Sequence, residues 1–82
     1  MKKPDLYLRE YCSSLSDENV RFLATRLGQK MSGDLAEALD FVSRTRELDR
    51  WLGSARSSDE LYDMIDMIQT ASQKEYDKRY SN

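Results

Sequence analysis

The fold is decided most clearly by one stretch of the chain, SSDELYDMIDMIQTA, which occupies residues 57–71. Ser57 followed by Glu60 is the capping-box pattern of a helix start, and the acidic residues of the first turns suit the positive end of a helix dipole. Apolar residues then recur at helical spacing, at Leu61, Met64, Ile65, Ile68 and Ala71. The stretch therefore predicts an amphipathic helix over about 58–78, whose polar end frays beyond Gln73.

The same helical spacing of apolar residues continues through the rest of the chain. Pro4 suits the first position of one helix, and Ser16 suits the N-cap of a second. A third helix is predicted to begin at Asp34, whose spacing to Glu37 resembles a capping box with Asp in the place of Ser. With the last helix over 58–78, we expect helices over about 4–13, 17–29, 34–43 and 46–53.

The third helix cannot continue beyond residue 45 without a conflict. In an unbroken helix, Asp49 would point into the apolar arc and Trp51 would lie among charged side chains. A break near residues 43–45 removes the conflict, because a short helix from about 46 can direct Leu48 and Trp51 inward before Gly53 ends it. We favour the break. The sequence thus predicts an all-α fold, a compact single-domain bundle of four helices, or five if the third is broken near residues 43–45.

Length and composition limit the class of protein. With 82 residues, one domain is the default, and 34% charged residues at a formal charge of −2 favour solubility. The sequence has no apolar run of the length needed to cross a bilayer, and its first ten residues lack the apolar core of a signal peptide. Cys12 is the single cysteine, so no internal disulfide can form. We expect a cytoplasmic protein that does not enter a membrane.

The residue types needed for catalysis are largely missing. Histidine, the most frequent acid–base group at neutral pH, is absent from the sequence. Asp59, Asp63 and Asp66 share one helix face, but that face is opposite the apolar stripe, so water should solvate all three. Cys12 has no histidine to activate it and is expected to be a small buried apolar residue. We predict that the protein is not an enzyme and uses no metal, cofactor or small-molecule ligand.

Residues 20–42 have some features of a helix-turn-helix motif, including Ala24 followed four residues later by a glycine. Two features of the segment differ from those of the motif. The apolar positions after the turn come one residue late, and the second helix carries three acidic residues but no basic residue before Arg44. Carboxylates repel phosphates, whereas nucleic-acid binding needs Lys and Arg. A nucleic-acid-binding regulator, using this degenerate segment or the arginines of residues 44–56, is therefore the alternative function, with nucleic acid the less favoured partner.

Three large apolar residues, Phe22, Trp51 and Met67, do not fit the apolar stripes of their helices. Burial of a helix on two sides would explain them, and a contact surface for a partner is the other explanation. Aromatic residues are enriched at the centres of protein interfaces. We predict a non-catalytic protein-interaction module, a small regulator, adaptor or accessory subunit, that binds another protein or itself. The expected contact residues are Phe22, Arg44, Arg46, Arg50, Trp51, Tyr62, Met67 and Tyr76.

Overall fold

The structure is a computed structural model that describes residues 3–29 and 32–81. Within these residues the chain forms five α-helices and no strand, which confirms the all-α fold and the break in the third predicted helix. The helices are α1 (Pro4–Ser13), α2 (Asp17–Gln29), α3 (Ser32–Ser43), α4 (Arg46–Gly53) and α5 (Ser58–Tyr80).

The longest helix, α5, packs against both α1 and α2, while α3 packs against α2 and α4 against α3. Each helix contributes to one apolar core, because its apolar residues recur on a single face. The central cluster of buried core residues comprises Leu8, Leu23, Leu27, Ala38, Val42, Leu48, Leu52, Met64, Ile65 and Ile68. The radius of gyration is 12.0 Å, close to the value of about 11.7 Å expected for a compact chain of this length.

The break between α3 and α4 lies at Arg44 and Thr45. Their backbone N–H groups bond three residues back, to the carbonyl oxygens of Phe41 and Val42 at 3.3 and 3.1 Å. Thr45 is extended, with φ −89° and ψ 113°, and α4 starts after it. This change of direction buries Leu48 and leaves Asp49 exposed, as the sequence argument required.

Two helix ends differ from the sequence predictions. Helix α3 begins at Ser32 rather than Asp34, so Asp34 lies in the first turn and accepts a hydrogen bond from Arg26 Nη1 at 2.5 Å. The fourth helix ends at Gly53, as predicted, but Gly53 belongs to the helix instead of following it as a C′ residue. Gly53 is the last helical residue and its φ is not in the left-handed region. A right-handed Ser54 follows, and its hydroxyl donates to the carbonyl three residues earlier at 2.6 Å.

The end of α5 lies two residues beyond the predicted one. The helix continues to Tyr80, and the segment beyond Gln73, where fraying was expected, is helical. Arg79 connects this segment with α1, and its side chain is only 19% exposed. Its guanidinium donates to carbonyl oxygens at the end of α1, where helix carbonyls have no partner within the helix. These bonds reach Cys12 and Ser13, both at 3.2 Å, and Leu15 at 2.9 Å.

The predicted N-caps of α2 and α5 are confirmed. Ser16 Oγ accepts a hydrogen bond from the backbone N–H of Asn19 at 3.2 Å, and Ser57 Oγ accepts one from that of Glu60 at 3.1 Å. The capping box of α5 is completed differently from the standard pattern, because the Glu60 carboxylate accepts from the backbone N–H of Arg56 at 3.3 Å. Local sequence therefore sets where these two helices begin.

Candidate functional site

Helices α1 and α4 border an open groove with a volume of about 920 Å³. Its apolar residues are Leu6 and Tyr7 from α1 and Trp51 from α4. Leu6 is 49% exposed, whereas Tyr7 and Trp51 are half-buried and pack against the core. The apolar surface of the groove is therefore accessible to water, and Tyr7 and Trp51 within it are held in place by packing against the core.

Two contacts connect α1 with the start of α4. Tyr11 contacts Thr45, the residue before α4, and Tyr7 contacts Glu47, two residues further along the chain. Burial raises the pKa of the Tyr7 phenol, and the charge of the Glu47 carboxylate and a hydrogen bond to it raise this pKa further. Burial also raises the pKa of Tyr11, while its hydrogen bond with Thr45 acts in the opposite direction. These contacts place α1 beside the start of α4.

The rim of the groove carries charges of both signs. Its carboxylates are Glu10 of α1 and Glu47 of α4, and its cations are Lys3, just before α1, and Arg50 of α4. The rim therefore has two positive and two negative side chains beside the apolar residues.

A second, smaller groove of about 560 Å³ lies between α1 and α5. Met67 and Ala71 are half-buried in its wall, beside the buried Leu8. Its rim carries acidic residues towards the start of α5 and the basic residues Lys74 and Lys78 further along it. Met67 is thus partly accessible here, but no exposed apolar side chain comparable with Leu6 is among the residues that line this groove.

Phe22 is explained by packing within the chain. It is half-buried, and its ring centroid lies 5.7 Å from that of Phe41 across the α2–α3 contact. The Arg26 guanidinium lies 5.5 Å from the centroid of the same ring. These contacts place Phe22 at the edge of the core and account for its departure from the α2 stripe.

The remaining expected contact residues are scattered. Tyr62 is 49% exposed, and the half-buried Tyr76 stacks on Tyr80 with their ring centroids 4.7 Å apart. Arg44 pairs with Asp40 at 3.4 Å, both side chains being 74% exposed, and Arg46 is exposed. The structure thus brings Trp51 and Arg50 together in the α1–α4 groove and places Met67 in the other. It gives neither groove a contribution from Phe22, Arg44, Arg46, Tyr62 or Tyr76.

Leu6, Tyr7 and Lys3 also line the α1–α4 groove, but they were not among the contact residues predicted from the sequence. A signal for Leu6 was available. The α1 stripe runs through Leu8 and Cys12, and Leu6 lies off it by two residues. The test that singled out Trp51, a large apolar residue away from its stripe, would have selected Leu6 if it had been applied to the first helix.

Cys12 is a buried residue, as the sequence predicted. It is fully buried between α1 and α5, with its Sγ 3.6 Å from Ser72 Oγ. Burial raises the pKa of the thiol, although the hydrogen bond to Ser72 acts in the opposite direction. The thiolate is the reactive form of cysteine, so this protonated and inaccessible thiol is poorly suited to nucleophilic chemistry.

In residues 3–29 and 32–81, no three or more His, Cys, Asp or Glu side chains are grouped so that they could hold a metal ion. Over the same ranges, no helix combines the length and apolar character needed to span a bilayer.

The surface of the helix-turn-helix-like segment is acidic where it would meet nucleic acid. Arg26, the basic residue in the last turn of α2, is engaged by Asp34 and, at 3.2 Å, by Glu37 of α3. Glu37 and Asp40 are exposed on α3, the helix that would have to approach phosphates. The geometry of this region does not favour the nucleic-acid alternative.

The chain matches no protein-family model, and neither the curated proteins nor the solved structures include one with significant similarity to it.

Proposed function

We propose that the protein is a non-catalytic protein-interaction module, a small regulator, adaptor or accessory subunit that works in the cytoplasm. The observation that carries the proposal is the α1–α4 groove, where the exposed Leu6 lies beside the half-buried Trp51 and Tyr7. Protein interfaces have apolar, aromatic-rich centres with polar rims, and the groove has this composition.

The energetics also favour a protein partner. Removing apolar surface from water is favourable by about 25 cal/mol per Å² before the costs of association, and Trp51 and Tyr7 already pack against the core. Little side-chain freedom is then lost on binding, which is a main cost of association. The mixed charges on the rim suit a protein surface of mixed charge better than a uniformly negative phosphate backbone.

The test compares two substitutions at equally exposed positions. Leu6→Glu places a charge in the α1–α4 groove, and Tyr62→Glu places one on the flank of α5, where the original side chain is likewise 49% exposed. Trp51→Ala and Phe22→Ala are less informative, because both residues pack against the core and their truncation would also lower the stability of the fold.

Each variant and the unaltered protein serve as bait in lysate of the native host, after circular dichroism has shown equal helicity. We expect a stoichiometric protein, which is either a different chain or the untagged chain itself, to be retained by the unaltered bait and by Tyr62→Glu but lost with Leu6→Glu. Loss with Tyr62→Glu instead would assign binding to the α5 flank. Retention by both variants, or recovery of no protein by the unaltered bait, would contradict the proposal.

A further inference from the structure

We propose that the end of α5, residues 73–80, is a strap that lies over the end of α1 and is attached there by Arg79. The strap opens together with the α1–α2 connection while the core stays folded, and this opening exposes Cys12. The movement does not involve the α1–α4 groove.

The strap has no apolar anchor of its own. On α5 the last buried residue is Ser72, and the apolar residues that form the central cluster or pack against it end at Ala71. The stacked rings of Tyr76 and Tyr80 belong to the strap itself. Apolar burial in the core is therefore not what holds these two turns of helix in place.

Arg79 makes the polar attachment. Among the described residues, every hydrogen bond, ion pair and ring contact between the strap and the chain outside α5 comes from this side chain. Its Nη2 donates to the carbonyl oxygens at the end of α1, and its Nη1 donates to the Asp17 carboxylate of α2 at 2.8 Å. Its Nε donates at 2.7 Å to Glu75, a strap residue whose side chain is only 10% exposed. One guanidinium thus joins the strap to both α1 and α2.

Cys12 lies beneath the inner face of the strap. Ser72, Glu75 and Arg79 follow one face of α5 at helical spacing, and the fully buried thiol places its Sγ 3.6 Å from Ser72 Oγ. Burial is the main reason that the pKa of this thiol is raised, and the charges of Glu75 and Arg79 also act on it. Lifting this face of α5 therefore gives water access to the thiol.

The strap and the α1–α2 connection share the bonds that hold them. Residues 14–16, which connect the two helices, include no fully buried residue. Segments with few buried apolar contacts open locally at a lower free energy than the whole fold. Since the bonds of Arg79 reach both segments, breaking them releases both at once, and the two open as one unit.

The experiment measures how fast Cys12, the single cysteine, is alkylated by excess N-ethylmaleimide in the full chain. Mass spectrometry gives the labelling rate at several urea concentrations below the unfolding transition. Arg79→Met removes the attachment, and Lys78→Met is the matched control, because it removes one positive charge from an exposed neighbour on the strap.

We expect labelling of the unaltered chain to depend on urea much less than global unfolding does, because opening the strap exposes little surface. Arg79→Met should raise the rate at least about tenfold, since hydrogen bonds to a charged group are lost, and Lys78→Met should change it by no more than about twofold. Loss of the Arg79 charge alone would raise the pKa of the thiol and slow its reaction, so a charge effect cannot produce this acceleration.

A second pair of variants weakens the attachment from α2 and leaves the strap unaltered. Asp17→Asn and Glu18→Gln each remove one exposed negative charge from the first turn of α2, but only Asp17 contacts Arg79. Asp17→Asn should speed labelling by up to about fivefold, and Glu18→Gln should not. Equal rates within either pair of variants would overturn the proposal. So would labelling of the unaltered chain with the full urea dependence of global unfolding.

Discussion

The buried thiol of Cys12 predicts a specific loss of stability at alkaline pH. In the folded protein its pKa is raised from the ordinary value of 9.0, mainly by burial. Below pH 9 the thiol is protonated in both the folded and the unfolded chain, so its contribution to stability is fully present there. Above pH 9 the unfolded chain releases the proton while the folded chain keeps it, and stability falls until the pH passes the folded pKa.

The magnitude follows from proton linkage. Between the unfolded and folded pKa values, one such group lowers the free energy of unfolding by at most about 1.4 kcal/mol per pH unit. Cys12→Ala removes the titrating group and the contacts of a fully buried sulfur, which costs about 1 kcal/mol at neutral pH. The advantage of the unaltered protein over this variant should therefore shrink by up to about 1.4 kcal/mol between pH 7 and pH 10, with most of the loss above pH 9.

Urea unfolding monitored by circular dichroism, under reducing conditions from pH 7 to pH 10, measures this difference. The range stops at pH 10 because burial also raises the pKa of Tyr7 and of Tyr11 from 10.0, and both would add losses of the same sign at higher pH. A free-energy difference between the two proteins that stays constant from pH 7 to pH 10 would refute the reasoning. It would mean that the thiol exchanges its proton as freely in the folded chain as in the unfolded one.

Two further predictions concern helix ends. Gly53→Ala should raise the free energy of unfolding by about 0.5–1 kcal/mol, since Gly53 is helical and an added Cβ would meet no described atom within 4 Å; a lower urea midpoint would contradict this. Arg79→Met should speed amide hydrogen exchange in the last turn of α5 and in the α1–α2 connection, because three carbonyl contacts are lost. The neighbouring exposed Lys78→Met is the control, and equal exchange in both variants would exclude the assigned role of Arg79.

The break before α4 is a feature of the fold that the local sequence pattern predicts. It could be predicted because Asp49 and Trp51 cannot both occupy suitable faces of one continuous helix, a conflict visible within about ten residues of sequence. The end of α5 could not be predicted in this way. Residues 73–80 form a mostly polar segment, and Arg79 within it bonds carbonyl oxygens more than sixty positions away in the chain.

The residues of the candidate site were likewise predicted only in part. The sequence selected Trp51 and Arg50, which are on α4, but it also selected Phe22, Arg44 and Tyr62, which lie outside the groove. The off-stripe criterion identifies large apolar residues that one helix cannot bury on its stripe. It does not reveal whether a neighbouring helix covers them, as Phe41 covers Phe22.

The sequence by itself determined the helices, most of their ends and the composition of the core, because caps and apolar spacing act within one or two turns of the same segment. Only the tertiary structure decided that α1 and α4 border one groove, in which Leu6 and Tyr7 lie beside Trp51. The physical reason is that this groove joins residues 3–10 with residues 47–54, and their relative placement depends on how all five helices share one core.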